Sequence, residues 1–283
     1  MQSFPLILCA DDYGLSPAVS AGILEALAAG RLNATGAMTN RPNWKTAARD
    51  LRALEGAGAL FGVHLNMTLG APLAAGAALA PSGVFPQLST YLRGKVSREA
   101  VAEIAQEIRA QLDAFEQEMG RPPDFVDGHQ HVHVLEPVRG LLLEEAQRRG
   151  YAGKAWLRDS ADRTARILKR GVETKKALAL AWLARGFAKE ARARGFEVND
   201  GFSGFSAFDP SRDYGADFAR YLAQPGGRHL VMCHPGHVDD ELRSADPVTT
   251  TREQELAFLL SSRFSETMEK AGARLGMWSG ISY

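Results

Sequence analysis

Cysteine is scarce in this chain: there are two in 283 residues, Cys9 and Cys233, both inside apolar runs. They read as buried free thiols in a reducing compartment and give no sign of a disulfide framework. No Cys-x-x-Cys pair occurs, which argues against a thiolate zinc site. Net charge is lacking too. The 33 Lys plus Arg are balanced by 33 Asp plus Glu, so no global field draws the chain to nucleic acid. Long hydrophobic runs are missing: the apolar helical stretch 177–184 stops at Arg185 and cannot span a bilayer. Met1-Gln2-Ser3-Phe4 has no basic n-region, and the apolar run behind it ends at Asp11, too short for a secretory signal. The expectation is a soluble cytoplasmic protein. Glycine-rich phosphate loops are absent in both common forms, Gly-x-Gly-x-x-Gly and Gly-x-x-x-x-Gly-Lys-Ser/Thr.

What the chain does contain is a regular alternation. Pro5–Ala10 is almost continuously apolar, as a strand buried on both faces must be. Ser16-Pro17 supplies an N-cap and a proline at the first helical position, and Gly30 a stop. Further strands are expected at 35–39, 59–66, 125–133, 154–157, 196–200, 229–234 and 274–278. Helices are expected at 44–54, 99–119, 136–149, 173–194 and 251–271, and residues 70–97 read as a long functional loop. Repeated β-α units of this number predict an α/β fold: one domain over 1–283, a distorted (β/α) barrel of TIM type with mostly parallel strands and helices outside. In such barrels chemistry gathers at the C-terminal ends of the strands.

Six of the seven histidines lie in three short segments at such ends. Asp127-Gly128-His129-Gln130-His131-Val132-His133 follows the apolar Phe125-Val126. On a continuing strand, the imidazoles at 129, 131 and 133 would share one face. Three imidazoles there call for a metal, a carboxylate or a substrate, unless ordinary hydrogen bonds satisfy them on a polar surface. His64 ends Phe61-Gly62-Val63 and Asp11-Asp12 ends the first strand. One of two adjacent acids can ligate a metal while the other stays free as a base. His234-Pro235-Gly236 ends a strand and turns at once, which suits a general acid titrating near neutrality. An Asp-His-His set with open positions suits zinc, cobalt, nickel or manganese, and magnesium less naturally.

These segments carry a resemblance. Cys9-Ala10-Asp11-Asp12-Tyr13-Gly14-Leu15-Ser16, Gly62-Val63-His64-Leu65-Asn66, the Asp127–His133 segment and His234-Pro235-Gly236 resemble the YdjC/ChbG/HpnK family of carbohydrate deacetylases, in the family's order from residue 5 to about 270. The resemblance implies a distorted barrel holding one divalent ion and removal of an N-acetyl group from an amino sugar. It makes Asp12, His64 and His129 the metal ligands, Asp11 the base and His234 the acid. His131 and His133 become supporting or substrate-facing groups, while Asp127 is placed either to hydrogen-bond a ligand histidine or to face a helix.

Two further features bear on substrate. Residues 163–194 hold ten basic residues against Glu173 and Glu190, with Leu180, Leu183 and Phe187 at helical spacing. A helical segment around 163–195 is therefore expected either as a solvated outer helix or as a peripheral contact with an anionic membrane, placing the protein at the inner membrane face. Phe202, Phe205 and Phe208, with Asp200 and Asp209, form an aromatic cluster that suits either stacking on a sugar or an apolar loop packed on the barrel. Phe205 and Asp200 are the substrate-facing candidates. The expected partner is an N-acetylated sugar or glycolipid, with no nucleic acid and with room for a homo-oligomer. The alternatives are a catalytically inactive sugar-binding or regulatory protein and a different metal-dependent hydrolase, such as a phosphoesterase, on the same barrel.

Overall fold

Strand parity explains this architecture. A computed structural model of the chain describes residues 3–74 and 76–278. Its strands are β1 (Phe4–Tyr13), β2 (Ala34–Ala37), β3 (Leu60–Leu65), β4 (Phe125–Gly128), β5 (Trp156–Leu157), β6 (Glu197–Val198), β7 (Gly201–Ser203), β8 (His229–Cys233) and β9 (Ala273–Leu275). All pair in parallel, in the order β6-β5-β4-β3-β2-β1-β8-β7, with β9 on the start of β1. The two edge strands, β6 and β7, are separated in the chain only by Asn199 and Asp200. The sheet therefore curls into a distorted (β/α) barrel whose ladder is unclosed at one seam.

The helices lie around it: α1 (Pro17–Ala28), α2 (Trp44–Arg52), α3 (Leu88–Leu92), α4 (Arg98–Met119), α5 (Val138–Arg148), α6 (Thr164–Arg170), α7 (Thr174–Leu183), α8 (Phe187–Ala193), α9 (Tyr214–Tyr221), α10 (Asp240–Ala245), α11 (Thr250–Leu260) and α12 (Ser262–Ala271). The expected cap forms at α1, where Ser16 Oγ accepts the Val19 N–H at 3.2 Å. None of the described helices is long and apolar enough to cross a membrane.

Two apolar clusters divide by parity. Leu6, Leu8 and Ala10 of β1, Phe61 and Val63 of β3, Val126 of β4 and Val231 of β8 face outward to the helices. Ile7, Cys9, Leu60, Phe125, Trp156, Leu230 and Met232 fill the interior, where the Phe125 and Trp156 rings stack at 4.4 Å. Space inside is tight: a Cβ on Gly62 would meet the Phe125 ring at 2.6 Å. The same parity extended to the C-terminal ends puts Asp11, His64, Asp127, Arg158 and His234 on the inward face. Apolar residues plug the bottom of the barrel and ionisable ones line its top.

Four expected elements differ, the first being the loop expected over 70–97, which carries α3 at Leu88–Leu92. The histidine segment is not strand: β4 ends at Gly128, and His129–Val134 turns in 3₁₀ fashion through left-handed Gln130 (φ 51°) and His131 (φ 58°). The single helix expected over 173–194 is α7 and α8, broken at Gly186 (φ 90°). The helix expected over 251–271 is α11 and α12, which meet at Ser261.

Candidate active site and metal centre

The floor of the site is a buried charge network. Asp11 takes both terminal nitrogens of Arg158, at 2.6 and 2.7 Å. Arg158 is fully buried and also lies 2.5 Å from Asp127 Oδ2 and 3.2 Å from Cys9 Sγ. Cys9, Asp11 and Asp127 bring ligand-type atoms together, but the guanidinium is the cation at their centre. Burial by itself would push the Asp11 carboxyl up; Arg158 outweighs it and holds Asp11 well below the usual carboxylate range. Arg158 escaped the sequence reading, although its signal was there: it stands two residues after Trp156, on the inward parity of β5.

Asp12 departs from strand parity because its backbone is left-handed (φ 70°), which is why two adjacent acids both reach the mouth. Its Oδ1 is 2.8 Å from His129 Nδ1 and 3.4 Å from His64 Nε2. The other His64 nitrogen, Nδ1, pairs with Asp127 Oδ1 at 2.7 Å, so Nε2 is the atom left facing Asp12. Burial opposes charge on His64, but Asp127 and Asp11 outweigh it and raise its pKa to about 10. One ligand atom from each of Asp12, His64 and His129 lies within 4.8 Å of the others. Two imidazole nitrogens converging on one carboxylate oxygen, one of them fixed by a second carboxylate, make a donor set that fits a divalent ion.

His234 stands across the mouth at the end of β8. Its backbone N–H donates to Glu255 Oε2 at 2.6 Å, and its Nδ1 is buried without a hydrogen-bond partner among the described residues. Burial lowers the His234 pKa, with Asp12 and Asp11 pulling the other way. Burial likewise raises Glu255 to about 7. The turn behind His234 packs on α1: a Cβ on Gly236 would meet Val19 Cα at 3.1 Å, and one on Gly22 would meet Gly236 Cα at 2.8 Å. Gly236 thus serves the packing of the turn against α1. Arg252, buried in the first turn of α11, donates from Nη2 to Asp12 Oδ2 at 2.7 Å. Nothing in the local sequence pattern marked Arg252 or Glu255.

The remaining candidates separate. A cavity of about 600 Å³ is lined by Asp11, Asp12, His64, His129, Gln130, His131, Phe205, Phe208, His234 and Arg252. His131 enters it, with Nδ1 3.2 Å from Ser160 Oγ and its ring against Phe202 and Phe205; burial holds it well below the ordinary imidazole pKa. His133 points the other way, fully buried on the Arg158 carbonyl at 2.9 Å. The three imidazoles therefore do not share a face, because the left-handed pair at 130 and 131 turns each one differently. Asp200 does not line the cavity: it lies outside it near the β6–β7 seam, half-exposed, 3.3 Å from Arg166 and from the Gly227 N–H. Pairing with Arg166 holds it away from the mouth.

Among the described residues, four of the six non-glycine residues with positive φ (Asp12, Gln130, His131 and Phe208) line this cavity. Such strain collects where a site demands a fixed geometry. The walls are apolar. Leu69 comes from the segment after β3, Leu88 and Leu92 from α3, Leu135 from beyond the histidine turn, and Leu180 and Leu183 from α7. The loop is pinned by Glu107, which accepts the Ala74 N–H at 2.7 Å, and by Tyr91, whose hydroxyl donates to the Met67 carbonyl at 2.8 Å. The apolar stripe of the basic segment thus faces inward: Leu180 and Leu183 line the cavity and Phe187 is fully buried. Arg170 is buried on Asp162 at 2.6 Å, while Trp182 and Leu168 remain exposed.

The profile of the YdjC-like protein family matches residues 5–270. The chain belongs to the YdjC-like family. It is 28% identical over 278 residues to a chitooligosaccharide deacetylase of Yersinia enterocolitica, covering 97% of this chain and 98% of the relative. It is 29% identical over 274 residues to a chitooligosaccharide deacetylase of Yersinia pestis, covering 96% of each. Among solved structures it resembles a proposed cellobiose-phosphate cleavage protein of Enterococcus faecalis V583, with a TM-score of 0.73, 25% identity and all of both chains covered. The peptidoglycan N-acetylglucosamine deacetylase Bc1960 shares the fold at a TM-score of 0.50 and 11% identity, over 98% of this chain and 87% of that one.

Proposed function

We propose that this chain is a metal-dependent carbohydrate deacetylase that hydrolyses an N-acetyl group on an amino sugar and releases acetate. The observation that carries this is the convergence of Asp12, His64 and His129 on one point of a cavity that Asp11 and His234 also line. The names of the Yersinia relatives supply the reaction class. Asp12, His64 and His129 would hold one divalent ion, zinc first on ligand chemistry, with cobalt, nickel, manganese or magnesium as alternatives. When bound, the ion supplies a polarised acetamide carbonyl and a water of lowered pKa.

The chain's own residues do the rest. Asp11, kept ionised by Arg158, accepts the proton of the attacking water. His234 gives a proton to the nitrogen as the C–N bond breaks. Asp127 fixes the orientation of His64, and His131 with Phe205 meets the sugar in the cavity. Acetate release from free, oligomeric and lipid-linked N-acetyl sugars, with added zinc and with chelator, tests the proposal. No release from any of them, or release indifferent to the chelator, would refute it.

The leucine walls favour a second reading of the substrate, an amino sugar on an apolar aglycone, acted on at the inner face of a membrane by a cytoplasmic enzyme. Alkyl glycosides of N-acetylglucosamine should then gain up to about fourfold in kcat/KM per methylene until the wall is covered, since a buried methylene contributes about 0.8 kcal/mol. A flat response to chain length would favour a soluble oligosaccharide instead. Sedimentation with anionic vesicles tests membrane contact through 163–195, with the exposed Trp182 as the residue to replace.

A further inference from the structure

We infer that Arg252 is a positioning residue that makes Asp12 a single-oxygen ligand, and that α11 ties this ligand to the turn carrying His234. The inference rests on the metal reading above. Asp12 is not aimed by strand parity, because its left-handed backbone (φ 70°) sits at a break in register of the β1–β2 ladder between Ala10 and Tyr13. Its carboxylate is instead divided. Oδ1 faces His129 Nδ1 at 2.8 Å and His64 Nε2 at 3.4 Å, while Oδ2 receives Arg252 Nη2 at 2.7 Å.

Arg252 is itself held from behind, by Asp246 Oδ2 at 3.1 Å and by the Val248 carbonyl at 3.0 Å from Nε. It is 1% exposed, so water does not compete for these contacts. Its carbonyl accepts the Gly236 N–H at 3.2 Å, and on the next turn of α11 Glu255 Oε2 accepts the His234 N–H at 2.6 Å. The start of this helix therefore grips the ends of β1 and β8 together. A planar guanidinium suits the task because Nη2 reaches both carboxylates while Nε, in the same rigid plane, is anchored on the Val248 carbonyl. Without it, Oδ2 is free to rotate toward the ion and the coordination changes.

Zinc affinity, measured by competition with a chromophoric chelator, and the visible spectrum of the cobalt-loaded protein report this directly, without turnover. Arg252→Met should bind zinc about 10–100-fold more weakly and shift the cobalt bands, as loss of a group that orients a ligand does. Arg252→Lys should recover most of that affinity. Glu255→Gln, which touches the His234 amide and not Asp12, should keep the parent affinity while kcat falls at unchanged KM. A folded Arg252→Met protein with the parent's zinc affinity and cobalt spectrum would overturn the inference. Should Arg252→Met fail to fold, Asp246→Asn decides: weaker zinc binding supports the inference and unchanged binding overturns it. A parent protein that holds neither zinc nor cobalt would overturn the metal reading and this inference together.

Discussion

Asp11→Asn separates the two adjacent acids most sharply. Both Asp11 oxygens lie on Arg158, at 2.6 and 2.7 Å, whereas the histidine nitrogens converge on Asp12. The substitution keeps size and one acceptor oxygen and removes the basic carboxylate. Losing a general base costs about 10²–10⁴ in rate, roughly 2.7–5.4 kcal/mol on the barrier at 1.36 kcal/mol per tenfold. Zinc affinity should stay within about tenfold of the parent, since the losses seen when groups that orient ligands are changed run about 10–100-fold and Asp11 orients none. Arg158 is fully buried but retains Asp127 at 2.5 Å. The stability loss should therefore fall below the roughly 3–5 kcal/mol of a wholly orphaned buried charge. Acetate release, zinc competition and urea unfolding on the same preparation give the three numbers. A variant that turns over normally, or one that folds but has lost its zinc, would refute the assignment; the second result would mean that Asp11 and Asp12 exchange roles.

Three other outcomes follow from the geometry. Burial holds His234 below the ordinary imidazole value, and a proton donor loses activity as pH rises through its pKa; kcat/KM should therefore already be declining with pH near neutrality, and His234→Asn should flatten that limb while lowering the rate about 10²–10⁴-fold. His133 and His229, both fully buried, are pushed down by burial to about 4 and about 3. The unfolded chain takes up their protons below roughly 6.5 and the folded chain does not, so stability is full above that value and is lost as pH falls toward 4 and 3. At pH 5 each should cost about 2 kcal/mol, and His229→Gln should narrow the difference between urea midpoints at pH 8 and pH 5; an unchanged difference would contradict the cause. Gly22→Ala places a Cβ 2.8 Å from Gly236 Cα, which should cost about 1–3 kcal/mol and reduce turnover by displacing the His234 turn, with zinc affinity unaltered. Equal turnover in the folded variant would detach that turn from catalysis.

The strands were legible where apolar runs end in an ionisable residue. Asp11, His64, Asp127 and His234 all announce themselves that way, and parity alone carries them to one face. The histidine segment misled because alternate spacing looks the same in a strand and in a turn. Only the pair of left-handed residues at 130 and 131, which no periodicity reveals, sends His129 to Asp12, His131 into the cavity and His133 behind Arg158. Asp200 misled for a related reason: its neighbours are aromatic, but its ion partner Arg166 lies 34 residues earlier. The basic stripe at 163–195 was visible, while its direction was not.

The alternation of strand and helix, the parallel barrel and the strand ends at which chemistry collects could be read from the residues in order, because these depend on local periodicity and on parity along each strand. Tertiary structure alone decided which nitrogen faces which oxygen, that Arg158 and Arg252 each claim one of two adjacent aspartates, and that the leucines of α7 wall the cavity. Those outcomes are set by contacts between residues 147 and 240 positions apart and by backbone angles that only the folded barrel can impose.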